Sequence, residues 1–350
     1  MKFSKINFSF LILICIFAII YALPNLIPNF QFNKINNFLP GKVVNLGLDL
    51  KGGSYLLLQA HVDEAINEKI ETTLSEVRRT LRKNKIKYKN LKTNNNRISF
   101  TIREKTLSKK TTKLLEKFLK DFQLTKKENY FVINLSDNGI SKIIQSTMNQ
   151  AIEIVRRRID ESGTKEPLIQ QQGKDRILVQ LPGVDDPGRI KRLLGKTAKL
   201  TFRFTHPKIN SSELNKNFVS PPGYILLEDQ NDKEKFYLIQ KKVMISGEQL
   251  TDARPGFDQD GGSAVMFTLT TAGGKKFGKI TGKNIGKAFA IILDKKVISA
   301  PIIQGQIFSN GQITGNFTVQ EANDLALVLR AGALPVPLHI LEERTVGPGL

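Results

Sequence analysis

From Phe10 to Leu23 the chain is uninterrupted apolar, FLILICIFAIIYAL, with Lys2 and Lys5 ahead of it. Widened to Ile6–Ile27, the run makes about 22 residues and roughly 33 Å of helix at ~1.5 Å per residue, enough for a hydrocarbon core of ~30 Å. The pattern predicts a transmembrane helix. A cleaved signal peptide needs small residues at its cut site, and bulky Ile20 stands where one is required before Ala22, so the anchor is expected to be retained. Pro24, Pro28 and Pro40 then mark a linker.

Beyond the linker the period changes to two. Val44, Leu46, Leu48 and Leu50 alternate with Asn45, Gly47, Asp49 and Lys51, as in a half-buried strand, and a second strand follows from Tyr55 to Gln59. Gly52-Gly53 between them permits positive φ, which predicts a bulge or sharp bend that re-aims Asp49 and Lys51. Val62, Ile66, Ile70, Leu74, Val77 and Leu81 recur at helical spacing, with acids at the start and Arg78, Arg79, Arg82 and Lys83 at the end, complementing the helix dipole. Ile140, Ile144, Met148, Ala151, Val155 and Ile159 repeat the design, closing at Gly163. The likeness extends past the helices. Val77-Arg78-Arg79 stands upstream of Arg97-Ile98 as Val155-Arg156-Arg157 stands upstream of Arg176-Ile177, so the chain reads as two copies of one unit. Leu168–Gln172 and Arg176–Leu181 predict a hairpin turned at Gly173-Lys174-Asp175, and Asp186-Pro187 the cap and first turn of a short helix.

From His206 the texture shifts to proline- and glycine-rich loops among short strands. Tyr224–Glu228 and Phe236–Lys241 read as paired strands, Ala264–Thr270 as another, and Ala288–Ile303 as a hairpin turned at Asp294-Lys295-Lys296. Hinges are expected at Pro221–Gly223 and near Gly311–Gly315. Thr318 and Glu321 form a capping box, and Pro335 and Pro337 limit an edge strand carrying Val336, Leu338 and Ile340. This order of strands and helices predicts an α+β fold: a transmembrane helix, a ferredoxin-like base and an inserted α+β head. The expected boundaries are 1–28 for tip and anchor, 29–205 for the base, 206–317 for the head, 318–345 for the return to the base, and 346–350 for the lead into a second membrane helix.

Composition alters this picture little. The formal charge of +21 invites a nucleic-acid reading, but Lys and Arg are widely spread, few aromatics interleave them, and no helix-turn-helix, RNP or zinc pattern is present. The richest tract, Arg78–Lys127, reads as a solvated basic face that an anionic membrane would also attract. Abundant Asn and Ile point to a codon bias that inflates Lys. Cys15, the single cysteine, can form no internal disulfide. Gly188–Thr197 ends in GKT but has six residues between glycines where a phosphate loop has four, and helix precedes it. Asp294 and Lys295 suit a turn, and neither His206 nor His339 is placed to complete a catalytic set. No catalytic, cofactor or metal residues are assigned, and an enzyme is not expected. Val265, Phe267, Leu269, Ile291 and Ile292 offer either plain core or a groove for an extended polypeptide.

Four stretches carry a family resemblance: GLDLKGGSYLLLQ from Gly47, residues 151–204, AFAIILDKKVISAPII from Ala288, and LVLRAGALPVPLHILEERTVGPGL from Leu327. They resemble SecD, a membrane subunit of the bacterial protein-export machinery. The resemblance makes Gly47, Asp49, Lys51, Gly52 and Gly53 a family signature with a structural or conformational role. It implies a cytoplasmic N-terminus and periplasmic bulk at the cell inner membrane. It also implies partnership with SecF, the SecYEG channel and YajC, unfolded preproteins as substrates, and use of the proton motive force through later membrane helices. A porter domain of a resistance-nodulation-division transporter and an anchored periplasmic scaffold are the alternatives.

Overall fold

The computed structural model describes residues 5–26, 52–94, 96–164, 167–184, 186–209 and 211–347. The apolar N-terminal run forms helix α1, Lys5–Leu26, with Phe8, Phe10, Leu13, Phe17 and Ile19 exposed. Side chains in it are described from Phe8 to Ile19, roughly 18 Å of helix at ~1.5 Å per residue. Among the described residues no helix is long and apolar enough to cross a membrane, so the crossing expected over residues 6–27 is not seen. The strand expected over Val44–Leu50, with Gly47, Asp49 and Lys51, lies outside the described residues.

The chain continues through β1 (Gly53–Ala60), α2 (Val62–Lys83), β2 (Tyr88–Asn94), β3 (Arg97–Ile102), α3 (Ser108–Glu116), β4 (Phe122–Lys127) and β5 (Tyr130–Leu135). Helix α4 (Asp137–Glu161) leads to β6 (Leu168–Gln172), β7 (Arg176–Pro182), α5 (Pro187–Gly195) and β8 (Leu200–Phe204). Then come β9 (Tyr224–Glu228), β10 (Phe236–Gln240), β11 (Ile245–Ser246), β12 (Leu250–Phe257), β13 (Ser263–Leu269) and α6 (Thr271–Gly282). The described chain closes with β14 (Phe289–Leu293), β15 (Lys296–Ser299), β16 (Asn310–Phe317), α7 (Val319–Ala331) and β17 (Leu338–Val346).

Three main cores organise these elements. The first lies under the antiparallel sheet β17-β1-β7-β6, where Leu56 and Leu58 meet Ile177, Val179 and Leu181, and Met148, Ala151, Val155 and Ile159 of α4 cover them. β17 takes the sheet edge, the place its prolines predict. The second lies under the sheet β2-β3-β5-β4 around the stacked rings of Phe100 and Phe131, covered by Ile70, Val77 and Leu81 of α2. Val77 and Ile98 in this core occupy the places that Val155 and Ile177 occupy in the first, so the two sequence copies build two separate sheets.

The third core gathers around Phe202, whose ring contacts Phe267, Phe277 and Phe289. It lies between the sheets β11-β8-β14-β15 and β12-β13-β16, and α6 and α7 complete it. β8 and α7 thus share a core with residues 253–313. Mixed α+β architecture is as expected. Gly311 and Gly315 sit inside β16, where a Cβ on Gly311 would lie 2.4 Å from the Phe267 ring; close packing, not bending, explains that glycine.

Candidate functional site: a cleft and the joint behind it

The chain crosses between the first and third cores twice. Leu194 belongs to the first core, while Ala198 and Leu200 belong to the third; on the way back Leu329 is in the third and Leu334 in the first. The crossings run side by side, with the Leu334 amide donating to the Thr197 carbonyl at 2.8 Å.

One side chain holds both. Arg158, fully buried near the end of α4, donates through Nη1 to the carbonyls of Leu193 at 2.7 Å and Lys196, and through Nη2 to those of Thr197 at 3.2 Å and Gly332 at 3.1 Å. A planar guanidinium with several fixed donors can do this; a lysine cannot reach so many acceptors at once. Burial pushes its pKa down to about 10, opposed by the charge of Asp294, so it remains a cation near neutrality. From sequence, its neighbours Arg156 and Arg157 mark the repeat, and Arg158 itself is not singled out. The signal was present: Arg158 lies three residues past Val155 and seven past Ala151, on the buried stripe of the helix.

Asp294 grips the first crossing from the other body. Asp294 and Lys295 both have positive φ, 49° and 68°, the pattern of a two-residue hairpin turn, so the turn expected here is present. The turn also has a further use. Its carboxylate accepts from the Thr197 hydroxyl, the Ala198 amide at 3.0 Å and the Lys199 amide at 2.8 Å. Ion pairs join the bodies around this point: Lys199 with Glu68 at 3.0 Å, Arg330 with Glu161, and Arg189 with Asp324 at 3.1 Å.

In front of the joint opens a cleft of 1730 Å³. Glu68 and Lys69 of α2 and Gln150 and Ile154 of α4 line one wall, Arg203 and Ile225 the other, with Thr197 and Gly332 between. Burial lowers the pKa of Arg203. The walls mix apolar area with both signs of charge, a surface that suits varied polypeptide better than one small molecule.

Of the signature residues, Gly52 and Gly53 are described, with φ of 68° and 142°. The Gly52 carbonyl accepts from the Gly183 amide at 3.0 Å, and a Cβ on Gly53 would lie 2.2 Å from the Leu181 carbonyl oxygen. Positive φ, expected at one or the other, is found at both. For the candidate groove residues the plain-core alternative is the one observed. Val265 (0% exposed), Phe267 (3%), Leu269 (4%), Ile291 (4%) and Ile292 (2%) are all core. β13 lies between β12 and β16, and β14 between β8 and β15, so neither strand has a free edge and the alternating apolar side chains turn inward. Of the five, Ile292 alone borders the cleft.

Comparison with known proteins agrees with this anatomy. Residues 38–63 match the model of the SecD/SecF GG motif, residues 148–207 that of the N-terminal P1 domain of protein translocase subunit SecDF, and residues 224–336 that of the SecDF P1 head subdomain. The joint residues Arg158, Thr197, Asp294 and Gly332 therefore fall within P1-type domains of protein-translocase subunits, and Gly52 and Gly53 within the GG motif. The protein translocase subunit SecD of Rickettsia conorii is 44% identical over 346 residues, 97% of this chain and 65% of that one. Its namesake from Acetobacter pasteurianus is 39% identical over 360 residues, 100% of this chain and 67% of that one. The crystal structure of SecDF in its super-membrane-facing form aligns with a TM-score of 0.52 at 27% identity, covering 99% of this chain and 36% of that one. The chain belongs to the SecD family, and it spans 65% of the length of the Rickettsia conorii relative.

Proposed function

We propose that the chain acts as a SecD subunit of the Sec export machinery, in which the cleft grips emerging, unfolded preproteins. Residues 6–27 anchor it in the inner membrane, and residues 29–205 with 318–345, apart from β8 and α7, form a periplasmic base of ferredoxin-like kind. The head, residues 206–317 together with the β8 and α7 elements that share its core, swings on the joint. SecF, the SecYEG channel and YajC are its partners. Membrane helices beyond this chain couple the proton motive force to that swing, and the chain itself is not an enzyme. The observation that supports this reading is the double crossing held by Arg158, a joint about which one wall of the cleft would swing relative to the other.

The test is a short bis-maleimide bridge between Glu68→Cys and Lys199→Cys, whose native side chains meet at 3.0 Å across the cleft, in a Cys15→Ser background. The bridged protein should fold normally and fail to support preprotein export, and cleaving the bridge should restore it. Full export with the bridge complete would refute the swinging head.

A further inference from the structure

One tract within the unit built on the second core carries most of the net charge of the molecule. Residues 78–127 hold eighteen Lys and Arg against three Asp and Glu, a net +15 out of +21 for the whole chain. Every one of the eighteen is exposed. Among the described residues only Arg79 and Lys105 of the eighteen are in ion pairs, with Glu76 and Glu128. The family models on either side stop at residue 63 and resume at 148, so this unit lies outside what they describe.

The charge has an ordered display. Helices α2 and α3 pack against each other. The buried side of α3 presents Ser108, Thr111 and Leu115, leaving Lys109, Lys110, Lys113 and Lys117 outward. The last turns of α2 likewise bury Val77 and Leu81 and leave Arg78 and Arg82 outward. Two adjacent helices thus expose two basic rows. Unpaired cations concentrated in this way are held together against mutual repulsion by the fold, and an anionic surface would relieve it.

We propose that this unit docks on an anionic phospholipid surface. Lipid is favoured over nucleic acid on two grounds. Among the described residues between 52 and 167 the only large apolar side chain exposed is Tyr130, so among them the platform of aromatics on which unpaired bases stack is missing. The apolar helix α1 on the same chain also supplies a route to a bilayer. Clustered Lys and Arg beside a membrane-associated helix form the usual electrostatic partner of anionic headgroups, acting within a screening length of about 10 Å at 0.1 M salt. The inference rests on the membrane anchoring proposed above.

The experiment uses the full chain in lipid nanodiscs, with a donor dye on Thr106→Cys in a Cys15→Ser background and acceptor dyes on lipid headgroups. Energy transfer should be at least about twofold higher with about 30% phosphatidylglycerol than with phosphatidylcholine alone, and should fall to the neutral-lipid level at about 0.5 M salt. The quadruple variant Lys109→Gln, Lys110→Gln, Lys113→Gln, Lys117→Gln, at exposed positions that leave the core intact, should abolish the difference. Equal transfer in both lipids overturns the proposal, as does an oligonucleotide that binds the unit and displaces it from the anionic disc. A chain that fails to enter nanodiscs overturns the anchor instead. Flotation then decides the surface: phosphatidylglycerol vesicles should still carry the chain, and their failure to do so overturns the docking.

Discussion

Arg158 Nη2 lies 3.1 Å from the carbonyl oxygen of Gly332, 174 residues further along the chain. Through this contact, and its contacts with Leu193, Lys196 and Thr197, one cation fixes where two crossings meet. Arg158→Met leaves several buried carbonyls without a donor, and we expect a loss of roughly 3 kcal/mol or more, with Arg158→Lys between it and the native protein. Denaturant unfolding measures this, and a loss under about 1 kcal/mol would remove Arg158 from the joint. The folded pKa of about 10 lies below the ordinary guanidinium value, so the charged form is the costlier one when folded. Its proton linkage therefore favours folding only as pH rises through 10. Between about pH 6 and 9 the cost of Arg158→Met should stay flat.

Gly53 and Gly52 separate two kinds of glycine requirement. Gly52→Val meets an unfavourable φ of 68° and should cost about 1 to 3 kcal/mol. Gly53→Val adds a collision with the Leu181 carbonyl, which belongs to the neighbouring strand and cannot yield without unpairing it. The larger loss should be at Gly53. Thermal unfolding of both variants checks the order, and equal small shifts would contradict the steric account.

The capping box at α7 predicts a pH effect. The Glu321 carboxylate is held below its ordinary value of 4.5, first by the Thr318 amide and then by the Thr318 hydroxyl. A depressed carboxylate stabilises the fold above its unfolded pKa, and that contribution is lost as pH falls through the lower folded value. Thr318→Ala should cost about 1 kcal/mol at neutral pH. Glu321→Gln should flatten the decline in stability below pH 4.5. Acid titrations of unfolding in which Glu321→Gln and native protein decline in parallel would contradict it.

Local rules made much of this legible from the sequence. The stripes of α2 and α4, the Gly173–Asp175 turn, the Asp186 cap and the Thr318 box each depend on residues within a few positions of one another. The joint does not. Its acceptors are backbone carbonyls, which carry no residue signature, and Arg158 reaches them across 35 to 174 positions. The Val265 and Ile291 strands were ambiguous for a related reason: alternation marks an inward face without saying whether a second layer covers it. The sheets β11-β8-β14-β15 and β12-β13-β16 supply that layer for each other, meeting where Phe202 packs on Phe267.

A fourth prediction concerns energy. From Phe8 to Ile19 the helix α1 offers only apolar residues, Ser9 and Cys15, with no carboxylate or basic group able to carry charge through a bilayer. Added to vesicles that lack the full-length subunit, residues 1–350 should bind unfolded preprotein but give the same translocation with the proton gradient present or collapsed. A gradient-dependent gain from this chain alone would move the proton pathway into it.

The pairing of Leu334 with Thr197 means that the segment between them begins and ends at one spot. Residues 198–333 are thus a cassette. Cutting them out and joining the ends through a few residues should leave the first two cores closed, and another domain with neighbouring termini should be graftable in their place. Such a junction lets the inserted part diversify without renegotiating the sheet beneath it.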